Sequence, residues 1–495
     1  METALIIVTL VVALLALLIL VLLINAARLR PAKVKDPLPP ATVFGDSKAV
    51  ERFQSILQSA TVWDEEDPEA DRSAFDDFLP KLQALYPRVF EALELTIIND
   101  YGILLRWPGN DSSAAPVVMM AHYDVVFAKP EDWTHDPFGA EIIDGNIYAR
   151  GAVDTKCILA ALLEATDYLL AEEHTPPRDI YLCSSNSEET MGLTGELMAN
   201  YFSDRDITPL FVLDEGGAVI DNAPLGASPE FAAIGVAEKG FFTAYCAVSA
   251  KGGHAATPSP ADAPAKLVKA LNRLLQTAAP ARLSKPIEAM LTELATHGSF
   301  GLRLVFANLW LFRPLVLSIM KSNPETAAMV RTTYALTELE GSKAHNVIPK
   351  TAKATVNVRV DPHETVQLAL TRLKDTFAKA GIAPEDAHFD LMASLDPSPI
   401  SHFDDEPFAY LKSVIKSVYP NAGIAPYVQS SCSDARHFSL ICPHTYRFAG
   451  FLFKGEQRSA IHGVDENLSV DSYKRGVGFY IQLIAHLEKL GEQPK

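Results

Sequence analysis

Cysteine is scarce in this chain, with only Cys157, Cys183, Cys246, Cys432 and Cys442 among 495 residues. The count is odd and no two stand at the close spacing of a cysteine metal site, so free and mostly buried thiols are expected. Basic residues are also in deficit: 43 Lys and Arg face 61 Asp and Glu, a formal net charge of −18. A nucleic-acid surface needs basic patches, so nucleic acid is excluded as a partner. The acidic excess suits a carboxylate-rich cation site, although most of it is solvated surface. Charge is absent altogether from Ala4 to Ile24. At about 1.5 Å per residue, that run crosses a hydrocarbon core of roughly 30 Å. A cleaved signal wants a basic start and a shorter apolar core; Glu2 precedes this run, while Asn25-Ala26-Ala27 after it keeps cleavage as the disfavoured alternative. The expectation is an uncleaved single-pass membrane anchor over residues 1–30. Arg28, Arg30, Lys33 and Lys35 follow it and lean the body toward the cytoplasmic side, but one span leaves the side open.

Pro31, Pro37, Pro39 and Pro40 make residues 31–48 a stiff extended linker, and the acidic run Asp64 to Asp71 reads as a surface loop. The length suggests two or more folding units, and a hydrophobic content of 48% supplies large cores. The organising stretch is Val117-Val118-Met119-Met120-Ala121, which ends in His122-Tyr123-Asp124. A continuous apolar run of this kind reads as a buried strand of a parallel sheet. In open α/β sheets, function collects at the carboxyl ends of strands. His122 and Asp124 stand two apart, so on an extended chain they point the same way. A histidine oriented by a carboxylate is equipped as a metal ligand. Taken alone, the same pattern is more often a histidine that happens to end a strand.

Further polar residues follow further elements. Asp144-Gly145-Asn146 is a hairpin signal. Asp154 precedes an apolar helical pattern through Ile158, Leu159, Leu162, Leu163 and Leu169, where a helix N-cap is the ordinary reading. Asp179 to Ser185 alternates into a strand that ends in Asn186-Ser187-Glu188-Glu189. Two adjacent carboxylates can divide labour, one binding metal and one handling protons. Pro209 to Leu213 is another buried strand, ending in Asp214-Glu215-Gly216-Gly217. Far downstream lies Ile461-His462-Gly463-Val464-Asp465-Glu466. One histidine or carboxylate from each of five places is a poor coincidence and a good dinuclear site. Two imidazoles with hard oxygen ligands suit two zinc ions, with cobalt or manganese as substitutes.

These motifs, together with Gly252-Gly253-His254, resemble the M20 family of zinc peptidases and aminoacylases. The resemblance runs from about Phe53 to the C-terminus and is closest to the carboxypeptidase S branch. Within that branch, Val236 to Gly240, Asn308 to Pro314, Arg331 to Leu336 and His345 to Pro349 resemble the subgroup acting on N-fatty-acyl amino acids. One departure stands at Ser187, where the family pattern has aspartate; that place is not a ligand position, so only local hydrogen bonding changes. The resemblance implies that Asp154 bridges two zinc ions, that His122 and Asp214 complete one, and that Glu189 and His462 complete the other. It implies that Asp124 orients His122 and that Glu188 is the general base.

Between about Gly240 and Leu395 the pattern changes. Strand Phe241 to Ala250, helix Asp262 to Leu275, strand Lys353 to Val360, helix Glu364 to Lys379 and strand His388 to Leu395 suggest a β-α-β-β-α-β order. Lys353 to Val360 alternates cleanly, with Ala354, Val356, Val358 and Val360 on one face. The expected architecture is α/β: a zinc-exopeptidase-like catalytic domain with a mostly parallel central sheet, residues 49–239 and 396–495. It is interrupted by an α+β two-layer lid and dimerisation domain, residues 240–395. The resemblance implies a homodimer and a lid histidine, His254, that polarises the scissile carbonyl, often from the partner subunit. It places Asn346 and Arg359 among substrate-holding lid positions, and Arg436 in the metal domain as a second carboxylate clamp. For each arginine a surface or interface ion pair is the plainer alternative.

The lid also carries an insertion in which Phe300 to Met320 is almost wholly apolar, broken only by Arg303 and Arg313. Pro314 should kink or end a helix there. Extra core or a dimer contact is the bland reading; the sharper one is an apolar wall or membrane-dipping collar that receives a fatty chain. The expected function is a membrane-anchored dinuclear zinc amidohydrolase acting on N-acyl, and N-fatty-acyl, amino acids. The alternatives are a zinc carboxypeptidase acting on short peptides and an inactive membrane-anchored binding protein. A dead relative should have lost a ligand or the base, and none is missing. A phosphoesterase is disfavoured by His254 and the carboxylate-clamp arginines.

Overall fold

The computed structural model describes the chain apart from Met1, Ala32, Lys35, residues 65–66, 68–69 and 222–229, Ala278 and residues 492–495. Part of the acidic run 64–71 therefore lies outside the described residues. The strand Val117–His122 shows why its apolar run is unbroken. Val117, Met119 and Ala121 join the large core on one face of the sheet, while Val118 and Met120 join a smaller core on the other. Alternate side chains thus enter opposite layers. The first layer holds helices Ser47–Leu57, Lys156–Ala171 and Val470–Ala485; the second holds Thr194–Ser203 and Ala435–Phe438.

The ten-stranded sheet is mixed rather than mostly parallel. Val117–His122 runs parallel to both Ile180–Ser185 and Phe211–Asp214, and Thr445–Arg447 extends that parallel centre. Glu94–Ile98 and Gly102–Trp107 are antiparallel to each other, and the latter is antiparallel to Ile180–Ser185. Phe231–Glu238 is antiparallel to Val219–Ile220 and Thr445–Arg447 but parallel to Gly423–Gln429. The correction has a simple cause. A connection as short as 99–101 can only return the chain antiparallel, and apolar runs carry no mark of direction. The expected hairpin forms between Glu141–Ile143 and Asn146–Tyr148, with Asp144 and Gly145 both at positive φ.

A second sheet has its own core. Its strands run in the order Thr333–Glu340, Thr351–Val360, Gly240–Ser249, Ala387–Leu395, all antiparallel. Helices Ala263–Gln276 and Val366–Lys379 pack on it. Ala354, Val356, Val358 and Val360 are all buried against Phe242, Ala244 and the helices.

The apolar insertion does not join that core. Helices Lys285–Thr296, Phe300–Phe306, Leu309–Ser322 and Pro324–Val330 form a third cluster. It rests on Phe231 and Ala425 of the main sheet, and the first helix packs along the strand Gly423–Gln429. The break between the second and third helices falls at Ala307–Asn308, where they turn by 107°. Pro314 instead sits inside Leu309–Ser322. Asn308 makes the turn: its Nδ2 donates to Leu304 O at 2.8 Å, closing the end of the preceding helix. The N-terminal helix Glu2–Arg28 is long and apolar enough to cross a membrane. Its side chains are exposed except along one line, Leu18, Leu22, Asn25, Ala26, which continues to Leu29 just beyond its end.

Candidate active site

The parallel centre of the main sheet aims its strand ends at one cavity of ≈ 290 Å³, lined by Asp154, Glu188, Glu189, Glu215, Gln429 and His462 among others. His122 closes its strand, and its Nδ1 lies 3.0 Å from the Asp124 carbonyl oxygen. A carbonyl only accepts, so Nδ1 donates to it and Nε2 is the nitrogen left to face the neighbouring carboxylates or a metal. That Nε2 lies 3.0 Å from Asp154 Oδ1 and 3.6 Å from Glu215 Oε1. The other oxygen of Asp154, Oδ2, lies 3.1 Å from His462 Nε2, which is 3.0 Å from Glu189 Oε2. Two triads, His122–Asp154–Glu215 and Asp154–Glu189–His462, thus share Asp154.

Two carboxylates fix this arrangement from behind. Asp124 accepts the backbone N–H groups of Glu188 at 3.2 Å and Glu189 at 2.9 Å, so it shapes their turn as well as facing His122. Glu466, fully buried, accepts the N–H of Val153 at 2.7 Å and of Asp154 at 3.1 Å, and its other oxygen accepts Arg150 Nη1 at 2.6 Å. Glu466 therefore ties the Asp154 loop to the loop of His462. It was visible as the last residue of the His462 motif, but nothing in the sequence assigned it work.

Asp214 is not where the sequence reading put it. Its Oδ2 accepts the N–H of Ala435 at 2.8 Å, and Glu215 is the carboxylate that reaches His122 and Asp154. Adjacent side chains at a strand end point to opposite sides, so only one of the pair can face the cavity. Arg436 is buried beside Glu188, its Nη1 3.7 Å from Glu188 Oε1 and donating to Ser433 O at 3.1 Å. It braces Glu188 rather than lining the cavity. Arg359 lies near Cys432, a cavity residue, with its guanidinium 5.4 Å from the Phe241 ring centroid. His254 and Asn346 adjoin each other at the two-stranded ribbon Gly253–His254 with Val347–Ile348, exposed and away from the cavity lining.

The electrostatics follow from packing carboxylates out of water. Burial, and Glu215 next, push the Glu188 carboxyl well above the ordinary carboxylate range. Burial does the same to Glu215, also raises Glu189, and with Asp434 nearby lifts Asp214 to about 6. Burial would pull His122 down, yet Glu215, Asp124 and Asp154 push it well above its usual value. Hydrogen bonds to Asp154 and Glu189 push His462 up to about 10. The residues fit a pair of cations. Lone pairs of His122, Asp154, Glu189, Glu215 and His462 converge, and buried Glu189 Oε1 has no hydrogen-bond partner among the described residues. Nitrogen and carboxylate donors in this mix suit zinc. A third grouping, His402, Asp405 and His444, lies elsewhere, at the start of helix Glu406–Val418. There His444 Nε2 pairs with Asp405 at 2.7 Å.

Fold and site together define a metal-dependent hydrolase. The chain belongs to peptidase family M20/M25/M40, whose model matches residues 118–486. It is 34% identical over 441 residues to the N-fatty-acyl-amino acid synthase/hydrolase PM20D1 of Xenopus tropicalis, covering 88% of this chain and 85% of the relative. It is 30% identical over 454 residues to the probable carboxypeptidase S-like 2 of Dictyostelium discoideum, covering 90% and 86%. Among solved structures it is similar to the M20 family metallo-carboxypeptidase Sso-CP2 of Sulfolobus solfataricus. That match has a TM-score of 0.63 at 17% identity and covers 89% of this chain and 99% of that one.

Proposed function

We propose that this chain is a membrane-anchored dinuclear zinc amidohydrolase that cleaves, and in reverse forms, the amide bond of N-acyl amino acids, N-fatty-acyl ones included. The observation that carries this reading is the pair of ligand triads sharing Asp154, with Glu188 on the same cavity wall. His122, Asp154 and Glu215 would hold one zinc ion, and Asp154, Glu189 and His462 the other. Bound there, the ions supply Lewis acidity, polarising a carbonyl oxygen and acidifying water. Glu188 does the proton work: it takes a proton from the attacking water and delivers it to the departing amine. Its high proton affinity, set by burial and neighbouring carboxylates, suits both halves of that task. Arg436 keeps Glu188 in place, and Arg359, close to Cys432, is positioned to receive the substrate carboxylate. Hydrolysis and synthesis share one transition state, so the same groups serve both directions.

Residues 1–30 act as the single-pass anchor and 31–48 as linker; 49–239 with 396–495 form the metal domain, and 240–395 the lid and dimerisation domain, whose helices of 285–330 rest on the main sheet instead of the lid core. His254 is solvent-exposed at the ribbon, a position suited to closing over a cavity, its own or that of a second copy. The second reading, a carboxypeptidase acting on short peptides, rests on the carboxypeptidase S-like relative. A hydrolysis screen of N-acyl amino acids against dipeptides, with and without a chelator, separates the two. The first reading requires chelator-sensitive cleavage in which a long-chain N-acyl amino acid exceeds its N-acetyl analogue in kcat/KM by at least about a hundredfold, or about 2.7 kcal/mol. A flat acyl-length profile with faster dipeptide cleavage moves the assignment to the peptidase.

A further inference from the structure

The helix Leu309–Ser322 carries large apolar side chains on both its inner and its outer face, with Arg313, Ser318, Lys321 and Ser322 as its polar residues. Its inner face, with Val316 and Met320 buried, enters the third core. Its outer face carries Leu311, Leu315 and Ile319 at successive helical turns, 40%, 50% and 61% exposed, with Trp310 at 62% beside them. The outer face of a helix at a water boundary is normally polar, so a row of large apolar side chains there calls for an apolar cover. The charge that is present lies off this row: Arg313 pairs with Glu288 of the neighbouring helix, and Lys321 stands in the last turn.

The N-terminal helix says what covers this face. Helix Phe300–Phe306 packs against it. Asn25 Nδ2 donates to Asn308 Oδ1 at 2.8 Å, and Asn308 Nδ2 donates to Leu22 O at 3.1 Å. Asn308 is fully buried. Leu22 lies within the charge-free run, and the packed line of side chains continues up to Leu18. From Ile24 to Leu18 is about 9 Å at about 1.5 Å per residue, a depth that matches the roughly 5–10 Å at which interfacial helices sit. The insertion therefore stands alongside the lower part of the span, not beneath it.

We infer that Leu309–Ser322 lies in the lipid leaflet beside the N-terminal helix, its Leu311–Leu315–Ile319 row and Trp310 facing the acyl chains. The bilayer then grips the catalytic body at two places, and the angle of the active site to the membrane is fixed. This rests on the reading of residues 1–30 as a retained membrane anchor. Trp310 stands near the charge-free boundary, where tryptophan is favoured in bilayers.

The test uses the full-length protein in phosphatidylcholine vesicles containing a lipid with a nitroxide high on its acyl chain. The emission belonging to Trp310, obtained by subtracting the Trp310→Phe variant, should fall at least about twofold, as for a side chain at interfacial depth. Trp63, Trp107 and Trp133, left in the variant, should not be quenched. Folding of the variant is checked by unchanged hydrolysis of a short-acyl substrate. A second measurement places an environment-sensitive dye on Leu315→Cys, whose emission should shift to the blue on vesicles. Retention of the protein by carbonate-washed vesicles without either change overturns the inference and leaves the anchor standing. Release by the wash removes the anchor and this inference with it. Unquenched Trp310 together with disulfide-linked dimers of Leu315→Cys would reassign the face to contact between copies.

Discussion

At the strand ends of the main sheet, His122, Asp154, Glu189 and Glu215 stand within touching distance of their partners, backed by Asp124 and Glu466. On the two-stranded ribbon, exposed His254 and Asn346 have only local partners among the described residues: His254 Nδ1 accepts the Ala256 N–H at 3.0 Å, and Asn346 O accepts that of Ala255 at 3.1 Å. One region has its chemistry assembled; the other carries groups whose work depends on meeting something. The difference follows from cost. Buried carboxylates must be fixed in advance, because leaving one unpaired is expensive. An exposed imidazole loses little by waiting.

Breaking the assembled region should give the largest effect. Glu188→Gln keeps the side-chain shape and removes the proton acceptor, so turnover should fall by roughly two to four decades while elemental analysis finds the metal content unchanged. Near-normal turnover would take Glu188 out of the reaction. Next comes the buried ion pair of Arg447 with Glu238, whose Nε and Oε1 are 2.7 Å apart with both side chains almost inaccessible. Glu238→Ala strands that guanidinium and should cost about 3–5 kcal/mol in denaturant unfolding. The second sheet offers the contrast: Lys353 and Glu340 pair at 3.4 Å in solvent. Glu340→Ala should cost under about 1 kcal/mol in the same measurement.

Metal content sharpens the comparison within the site. Glu215→Gln should lower bound zinc by elemental analysis, and Asp214→Asn, whose carboxylate serves the Ala435 N–H, should lower it less. The reverse order would restore Asp214 as the ligand. The subtlest effect concerns how the regions meet. If His254 serves the cavity of a second copy, mixing His254→Ala with Glu188→Gln should restore activity in heterodimers. No recovery, with subunit exchange verified, means that the ribbon closes over its own cavity or takes no part.

Much of this was legible because burial writes itself into sequence as apolar runs. Val117 to Met120 marked its strand, and the alternation through Val360 marked the core face of the second sheet. What failed was whatever depends on a distant partner. Asp214 and Glu215 are neighbours with the same chemistry, and the choice between them is made by the Ala435 N–H, more than two hundred residues on. The apolar character of Phe300 to Met320 was plain, but its place against Gly423–Gln429 and the N-terminal helix was not. Its readings were extra core or a dimer contact, or an apolar wall or membrane-dipping collar for a fatty chain; none of its residues lines the metal cavity, which disfavours the wall. Pro314 was read as a kink or a helix end; it lies inside Leu309–Ser322, and the turn falls at Asn308. Strand direction followed connection length, which hydrophobic periodicity does not record.

The clasp of Glu466 on the Asp154 loop has a consequence for how the protein is made. A growing chain that has just released Glu215 already carries His122, Asp154, Glu189 and their neighbouring acids, but neither His462 nor Glu466. Until the chain has been synthesised past Glu466, that carboxylate cannot hold the Val153–Asp154 backbone, and until it passes His462 one triad lacks its imidazole. Completion of the centre therefore waits on a segment about 250 residues beyond Glu215, and a chain that stops before Ile461 has only the His122–Asp154–Glu215 triad, without the Glu466 clasp.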